Sequence, residues 1–188
     1  GVSKTRLGAE IGDKRASEVA RALLMDSVAR YEGRGASVVV ATTDVGADHG
    51  VGVSLWDQGD GDLGARVERM LRRGVASGWA LAVGADAPHI SEDALSMALA
   101  ALNAGHNVLG PSEDGGFWAL GVQQCPPGLL ADLPWSAPTT GERTFQRMQD
   151  FGLEPVRLPL GWDVDTLDDL IRLSAHAELA PRSAALAC

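Results

Sequence analysis

Asp86 is the first residue whose surroundings suggest chemistry. It follows four apolar residues and Gly84 in the stretch ALAVGADAPHI, residues 80–90, and Pro88 then prevents any continuing strand. The unalternating run at Leu81, Ala82 and Val83 reads as a strand buried on both faces, as in a parallel sheet flanked by helices. Its carboxyl end is where open α/β sheets bind their ligands. An isolated acid there equally fits a turn cap, because Asp is favoured in turns. A second acidic group comes late in the chain. In GWDVDTLDDL, residues 161–170, Asp163 and Asp165 alternate just after a strand, so in extended chain their side chains share a face. Two carboxylates about 5 Å apart at an effective dielectric near 20 repel by roughly 3 kcal/mol, which a divalent cation reverses. Surface acidity is the plainer alternative, and it suits Asp168 and Asp169, placed in the first turn of a helix.

Cations and glycines complete the set. GVSKTRL puts Lys4 and Arg6 around a turn ahead of a helix, where backbone N–H groups and two cations can hold phosphates. It is not a P-loop, since the Gly-to-Lys spacing is too short and no second Gly precedes Lys4. A solvated basic surface is the competing reading. GDGDLGARV, residues 59–67, combines three glycines, Gly64 among them, with two acids and Arg66 at a helix start. It reads either as a flexible loop with Asp62 as N-cap or as a substrate contact. GPSEDGGFWALG, residues 110–121, sets Asp114, Gly115 and Gly116 directly between two strands. The paired glycines permit positive φ or a close backbone approach, and the loop is longer than a two-residue hairpin needs, which favours ligand contact.

The elements that must position these residues follow from periodicity. Residues 14–32 carry Ala16, Val19, Ala20, Leu23, Leu24, Val28 and Tyr31 at helical spacing and stop at Gly33. Strands are expected at 36–43, 52–58, through to Gly84, at 106–111, 117–122 and 154–160. Helices are expected at 62–77, 91–104 with Ser91 as N-cap, 138–151, and after Thr166 with Asp169 completing a capping box. Strands alternating with helices at these intervals specify an α/β/α sandwich with a mainly parallel sheet. One domain accounts for residues 1–175, followed by a C-terminal tail from 176 to 188, of which APRSAALAC, residues 180–188, is expected to be poorly ordered or loosely packed.

Composition narrows the partners. The 188 residues are 45% hydrophobic and 22% charged, ordinary globular values, and the 23 glycines imply many tight turns. A formal charge of −9 excludes a phosphate-polymer partner of the usual basic kind, so no nucleic acid is expected. No apolar run approaches a membrane span and no leader sequence is evident, which with the unpaired Cys125 and Cys188 points to the cytoplasm. His49, His89, His106 and His176 lack zinc-site spacing and read as core or surface histidines.

Six segments, in order, carry a resemblance: KTRLGAEIG, GDLGARV, VGADAP, VLGPSEDGGFWALG, LPWSAPTT and WDVDTLDDL. Over residues 3–173 the chain resembles an uncharacterised bacterial family often labelled glycosyltransferase, related to guanylyltransferases for the molybdenum cofactor and for 2-phospholactate. The resemblance implies the nucleotide-diphospho-sugar transferase (GT-A, Rossmann-like) fold, a three-layer α/β/α sandwich with a mainly parallel mixed sheet. It also implies that Lys4 and Arg6 end a phosphate-gripping loop, and that a strand and a Lys-Pro-rich segment precede Gly1. In such relatives the position of Asp86 binds a divalent metal, with an acid near Asp163 or Asp165 completing the site. The implied cofactor is Mg²⁺ or Mn²⁺, and the implied substrates are a nucleotide or nucleotide-sugar and an acceptor. GADAP presents one acid where sugar transferases of this fold usually present D-x-D, which favours nucleotidyl transfer over glycosyl transfer. A nucleotide-binding protein without turnover is the third reading. Phe117 replaces the Tyr usual after the paired glycines and leaves the acceptor open.

Overall fold

The computed structural model describes residues 4–187. Residues 1–3 of the GVSKTRL segment and Cys188 lie outside them. In chain order the elements are α1 (Thr5–Ile11), α2 (Asp13–Tyr31), β1 (Val39–Thr42), β2 (Ser54–Asp57), α3 (Leu63–Gly74), β3 (Ala80–Val83), α4 (Glu92–Asn103), β4 (Asn107–Pro111), β5 (Phe117–Val122), α5 (Thr140–Asp150), β6 (Pro155–Arg157), α6 (Leu167–Leu173) and α7 (Pro181–Ala184).

Local side-chain bonds fix the helix starts that the sequence marks. Asp62 accepts a hydrogen bond from the Ala65 amide, Ser91 from that of Ala94, and Thr166 and Asp169 form the reciprocal capping box. Helix α1 carries no such mark. It has seven residues with Gly8 in the middle, its N-cap Lys4 makes no capping bond, and Gly12 at φ 85 separates it from α2. Tertiary packing holds it, through the buried Leu7 and Gly8.

Strands β1 and β2 pair in parallel, and a four-stranded sheet runs in the order β3-β5-β4-β6. Within it β4 and β6 are parallel, while β5 is antiparallel to both β3 and β4. Three of its four strands therefore share a direction and β5 alone is reversed. Sheet faces explain the lack of polar alternation. In β4, Val108 packs with Ala98 and Leu102 of α4, whereas the next residue, Leu109, packs with Leu71 of α3 and Met148 of α5. Helices thus cover both faces, giving the three-layer α/β/α sandwich. Strand β3 departs from its expected full burial. Only Ala80 is buried, and Leu81–Val83 are intermediate, because β5 is its one bonded neighbour among the described residues.

A third apolar cluster joins α1, α2 and α6 to the end of the chain through Leu7, Val19, Leu23, Trp162, Leu170 and Ala180. The expected loose tail is corrected here. Ala180, Ser183 and Ala184 are buried, because Asp26 of α2 binds the start of α7.

Candidate metal and phosphate site

Three carboxylates from two distant parts of the chain meet at the carboxyl ends of β3 and β4. Asp86 lies just beyond β3, in a loop that Gly84 allows to turn tightly: a Cβ at Gly84 would stand 2.6 Å from Asp86 Oδ1. The 161–165 segment runs beside the end of β4, with the Gly161 amide donating to the Pro111 carbonyl and the Glu113 amide to the Gly161 carbonyl. Farther on, the Val164 amide donates to the Asp86 carbonyl at 3.1 Å, which ties the two acid-bearing loops together. One carboxylate oxygen from each of Asp86, Asp163 and Asp165 lies within 4.8 Å of the other two. All three residues are partly buried, so the cluster is both close and reachable.

Lys4 faces this cluster. Its Nζ donates to Asp86 Oδ2 and to Asp165 Oδ1, each at 2.7 Å. Burial by itself would lower the pKa of this ammonium, but Asp86 and Asp165 outweigh it and hold the value above the ordinary one. Arg6 is farther away and well exposed, with Nη1 at 3.8 Å from Asp165 Oδ2. Asp163 takes its hydrogen bond from the Ser112 hydroxyl at 2.9 Å. Burial pushes the Asp163 carboxyl up to about 6; the Ser112 bond opposes the rise, and Asp86, Asp114 and Asp165 add to it.

Behind the acids a stack of side chains joins the same loops. His89 is 5% exposed, and its ring lies 3.7 Å from that of Trp162, the neighbour of Asp163. Arg172 sits over Trp162 at 4.1 Å and binds Glu113 through two hydrogen bonds. Among the described residues neither ring nitrogen of His89 has a hydrogen-bond partner. Burial, assisted by His176, Arg172 and Arg30 and opposed by Glu113, lowers its pKa to about 4. An unfolded histidine titrates near 6.5. Between those values the unfolded chain binds more protons than the native protein, so stability is lost as the pH falls through this window. The expected loss between pH 8 and pH 5 is about 2 kcal/mol. Melting temperatures of wild type and His89→Phe across that range check it, since Phe keeps the stacking and removes the titration. Parallel curves would dismiss His89 as the source.

The other sequence candidates fall into two groups. Asp114 belongs to the site's electrostatics through its effect on Asp163, and it accepts the Gly116 amide at 2.8 Å. Gly115 does have the left-handed φ of 86 that glycine favours, but what approaches it is the chain itself: a Cβ there would lie 2.0 Å from the Pro138 carbonyl oxygen. The Gly141 amide also donates to the Gly115 carbonyl, so the glycine pair docks the loop onto α5's start. Gly64 is likewise pressed against protein, at 2.5 Å from the Leu130 carbonyl for a Cβ. Arg66 donates to the Gly61 carbonyl. No hydrogen bond or ion pair among the described residues links Gly64 or Arg66 to the three acids.

Comparison with known proteins agrees with the architecture. The family model described as "Uncharacterized protein conserved in bacteria (DUF2064)" matches residues 16–137, a span that contains Asp86 and ends before Asp163. No curated protein matches the chain. Among solved structures, the chain is similar to the crystal structure of a "putative nucleotide-diphospho-sugar transferase" from Desulfovibrio desulfuricans G20, with 24% sequence identity and a TM-score of 0.84. The similarity covers 99% of this chain and 87% of that one. At this identity it establishes the nucleotide-diphospho-sugar transferase fold.

Proposed function

Because the chain belongs to the bacterial family DUF2064 and has this fold, we propose that it is a metal-dependent transferase acting on a nucleoside triphosphate or a nucleotide-sugar, with nucleotidyl transfer favoured. The observation that carries the proposal is the approach of Asp86, Asp163 and Asp165 to within 4.8 Å, faced by Lys4. An all-oxygen donor set, partly exposed, fits Mg²⁺ or Mn²⁺, hard cations that keep water and phosphate oxygens in their shells. Once bound, such an ion would supply neutralisation of charge at phosphate oxygens.

The chain's own residues have separable parts in that scheme. Asp86 and Asp165 present oxygens toward the same point, and Ser112 orients Asp163 beside them. Lys4 and Arg6 add positive charge on the side where phosphates would lie, which stabilises negative charge developing during transfer. Attack on the α-phosphorus gives nucleotidyl transfer, and attack on the sugar anomeric carbon gives glycosyl transfer. The single acid of GADAP favours the first. The name of the similar structure favours the second, so both enter the test. A protein that binds nucleotide without turnover is distinguished by product formation.

A thermal-shift panel of GTP, CTP, UTP, ATP and common UDP- and GDP-sugars, with and without Mg²⁺, tests the proposal. A Mg²⁺-dependent response to a triphosphate supports nucleotidyl transfer, and one confined to a nucleotide-sugar supports glycosyl transfer. No response to any ligand removes the transferase reading. Gly84→Ala gives a local check. The added Cβ would meet the end of a side chain, Asp86 Oδ1, and not backbone, so the carboxylate is expected to swing away while the fold persists. Mn²⁺ binding followed by electron paramagnetic resonance should weaken roughly tenfold or more, the scale seen when a metal ligand loses its orientation, with the melting temperature little changed.

A further inference from the structure

Lys4 is placed unlike an ordinary surface lysine. Its side chain is 9% exposed, and its backbone takes φ 65 and ψ 50, a left-handed conformation that costs a non-glycine residue roughly 1 kcal/mol or more. No capping bond to α1 offsets that cost. The conformation instead accompanies the double contact of Nζ with Asp86 Oδ2 and Asp165 Oδ1, both at 2.7 Å. These oxygens belong to two of the three acids that would share a divalent cation. A divalent cation held by these acids would draw on the same carboxylate charge that now binds the ammonium. The two cations also repel.

We infer that Lys4 competes with the divalent cation for Asp86 and Asp165, and that a phosphate group draws its ammonium away so that the cation can bridge them. The inference rests on the metal-site reading above. A lysine suits this part because its ammonium is a compact charge with three donors on a flexible stem, free to turn from carboxylate to phosphate oxygen. A guanidinium held in a planar fork would not exchange partners as readily. Arg6, at 3.8 Å from Asp165, can remain beside the acids while Lys4 moves. Binding of metal and of phosphate then favour each other, and linkage makes the effect reciprocal.

Mn²⁺ titration of the full chain, wild type and Lys4→Met, provides the test, with inorganic tripolyphosphate as the phosphate probe. Lys4→Met should bind Mn²⁺ alone roughly tenfold more tightly than wild type, in the range of ordinary site-to-site coupling. It should also lose most of its affinity for tripolyphosphate. Equal or weaker Mn²⁺ binding by a folded Lys4→Met protein, beside measurable binding by wild type, overturns the competition and leaves the metal site standing. If neither protein binds Mn²⁺, with or without tripolyphosphate, the metal site itself is refuted. A second measurement on wild type covers a variant that fails to fold. Acetylation of Lys4 by an N-hydroxysuccinimide ester, read by mass spectrometry, should increase when Mn²⁺ saturates the site. Unchanged labelling at saturation overturns the inference.

Discussion

Asp86→Asn is expected to abolish the Mg²⁺-dependent stabilisation by nucleotide while leaving the fold intact. A ligand present at 100 times its dissociation constant contributes about 2.7 kcal/mol to stability, and that whole increment is at stake. Asparagine preserves the shape of the side chain and one oxygen, but it removes the charge that a hard cation seeks. It also removes one of the two ion pairs of Lys4, leaving the one with Asp165. Because the Asp86 side chain is 34% exposed, the loss of that pair should cost the ligand-free protein less than about 1 kcal/mol. The two effects are therefore separable in one experiment. Thermal melts of both proteins, with and without Mg²⁺ and the ligand identified by the panel, should show similar base values and a shift only in wild type. A shift of the same size in Asp86→Asn would remove this residue from the site.

The sequence marked the acids more readily than it marked what surrounds them. Asp86, Asp163 and Asp165 each follow an apolar run, and a strand end is a local property that spacing reveals. Ser112 and the stack of His89 on Trp162 are partnerships between residues far apart in the chain, with no local pattern to announce them. The glycines show the same division. Freedom for a left-handed backbone at Gly115 is legible in the residue type, whereas the identity of the approaching group, Pro138, depends on where another loop lies. Strand direction was hidden too, because two-faced burial produces the same apolar run whether β5 points with its neighbours or against them. Helix α2 does carry a local sign of one such partnership. Asp26 falls on the apolar stripe with Val19, Ala22 and Leu23, and an acid on a core face needs a buried partner.

That partner is the start of α7, and its loss defines the second large effect. The Asp26 side chain is fully buried, and Oδ2 accepts both the Ser183 amide at 2.8 Å and the Ser183 hydroxyl at 2.7 Å. Oδ1 accepts from the Arg182 amide at 3.3 Å and from Arg182 Nη1 at 3.1 Å. Pro181 occupies the first position of α7, and Ala180 has no side chain with which to cap it. An acid on α2 thus serves as the cap for a helix 156 residues later in the chain. Asp26→Ala removes the shared acceptor of two amides and the Ser183 hydroxyl, leaving that hydroxyl only the Ala180 carbonyl at 3.4 Å, and is expected to cost about 2 to 3 kcal/mol, a substantial part of the 5 to 15 kcal/mol typical of a domain. Urea unfolding should show that loss, and limited proteolysis should cut residues 180–187 in the variant before the remainder of the chain. A loss below about 1 kcal/mol would contradict the capping role. The effect should also extend to the acids. Ala180 shares its apolar cluster with Trp162 and Val164, which flank Asp163, so releasing α7 loosens the support of the loop that carries Asp163 and Asp165. Weaker Mn²⁺ binding by Asp26→Ala at a temperature where it remains folded would trace that connection, whereas unchanged binding would confine α7 to stability.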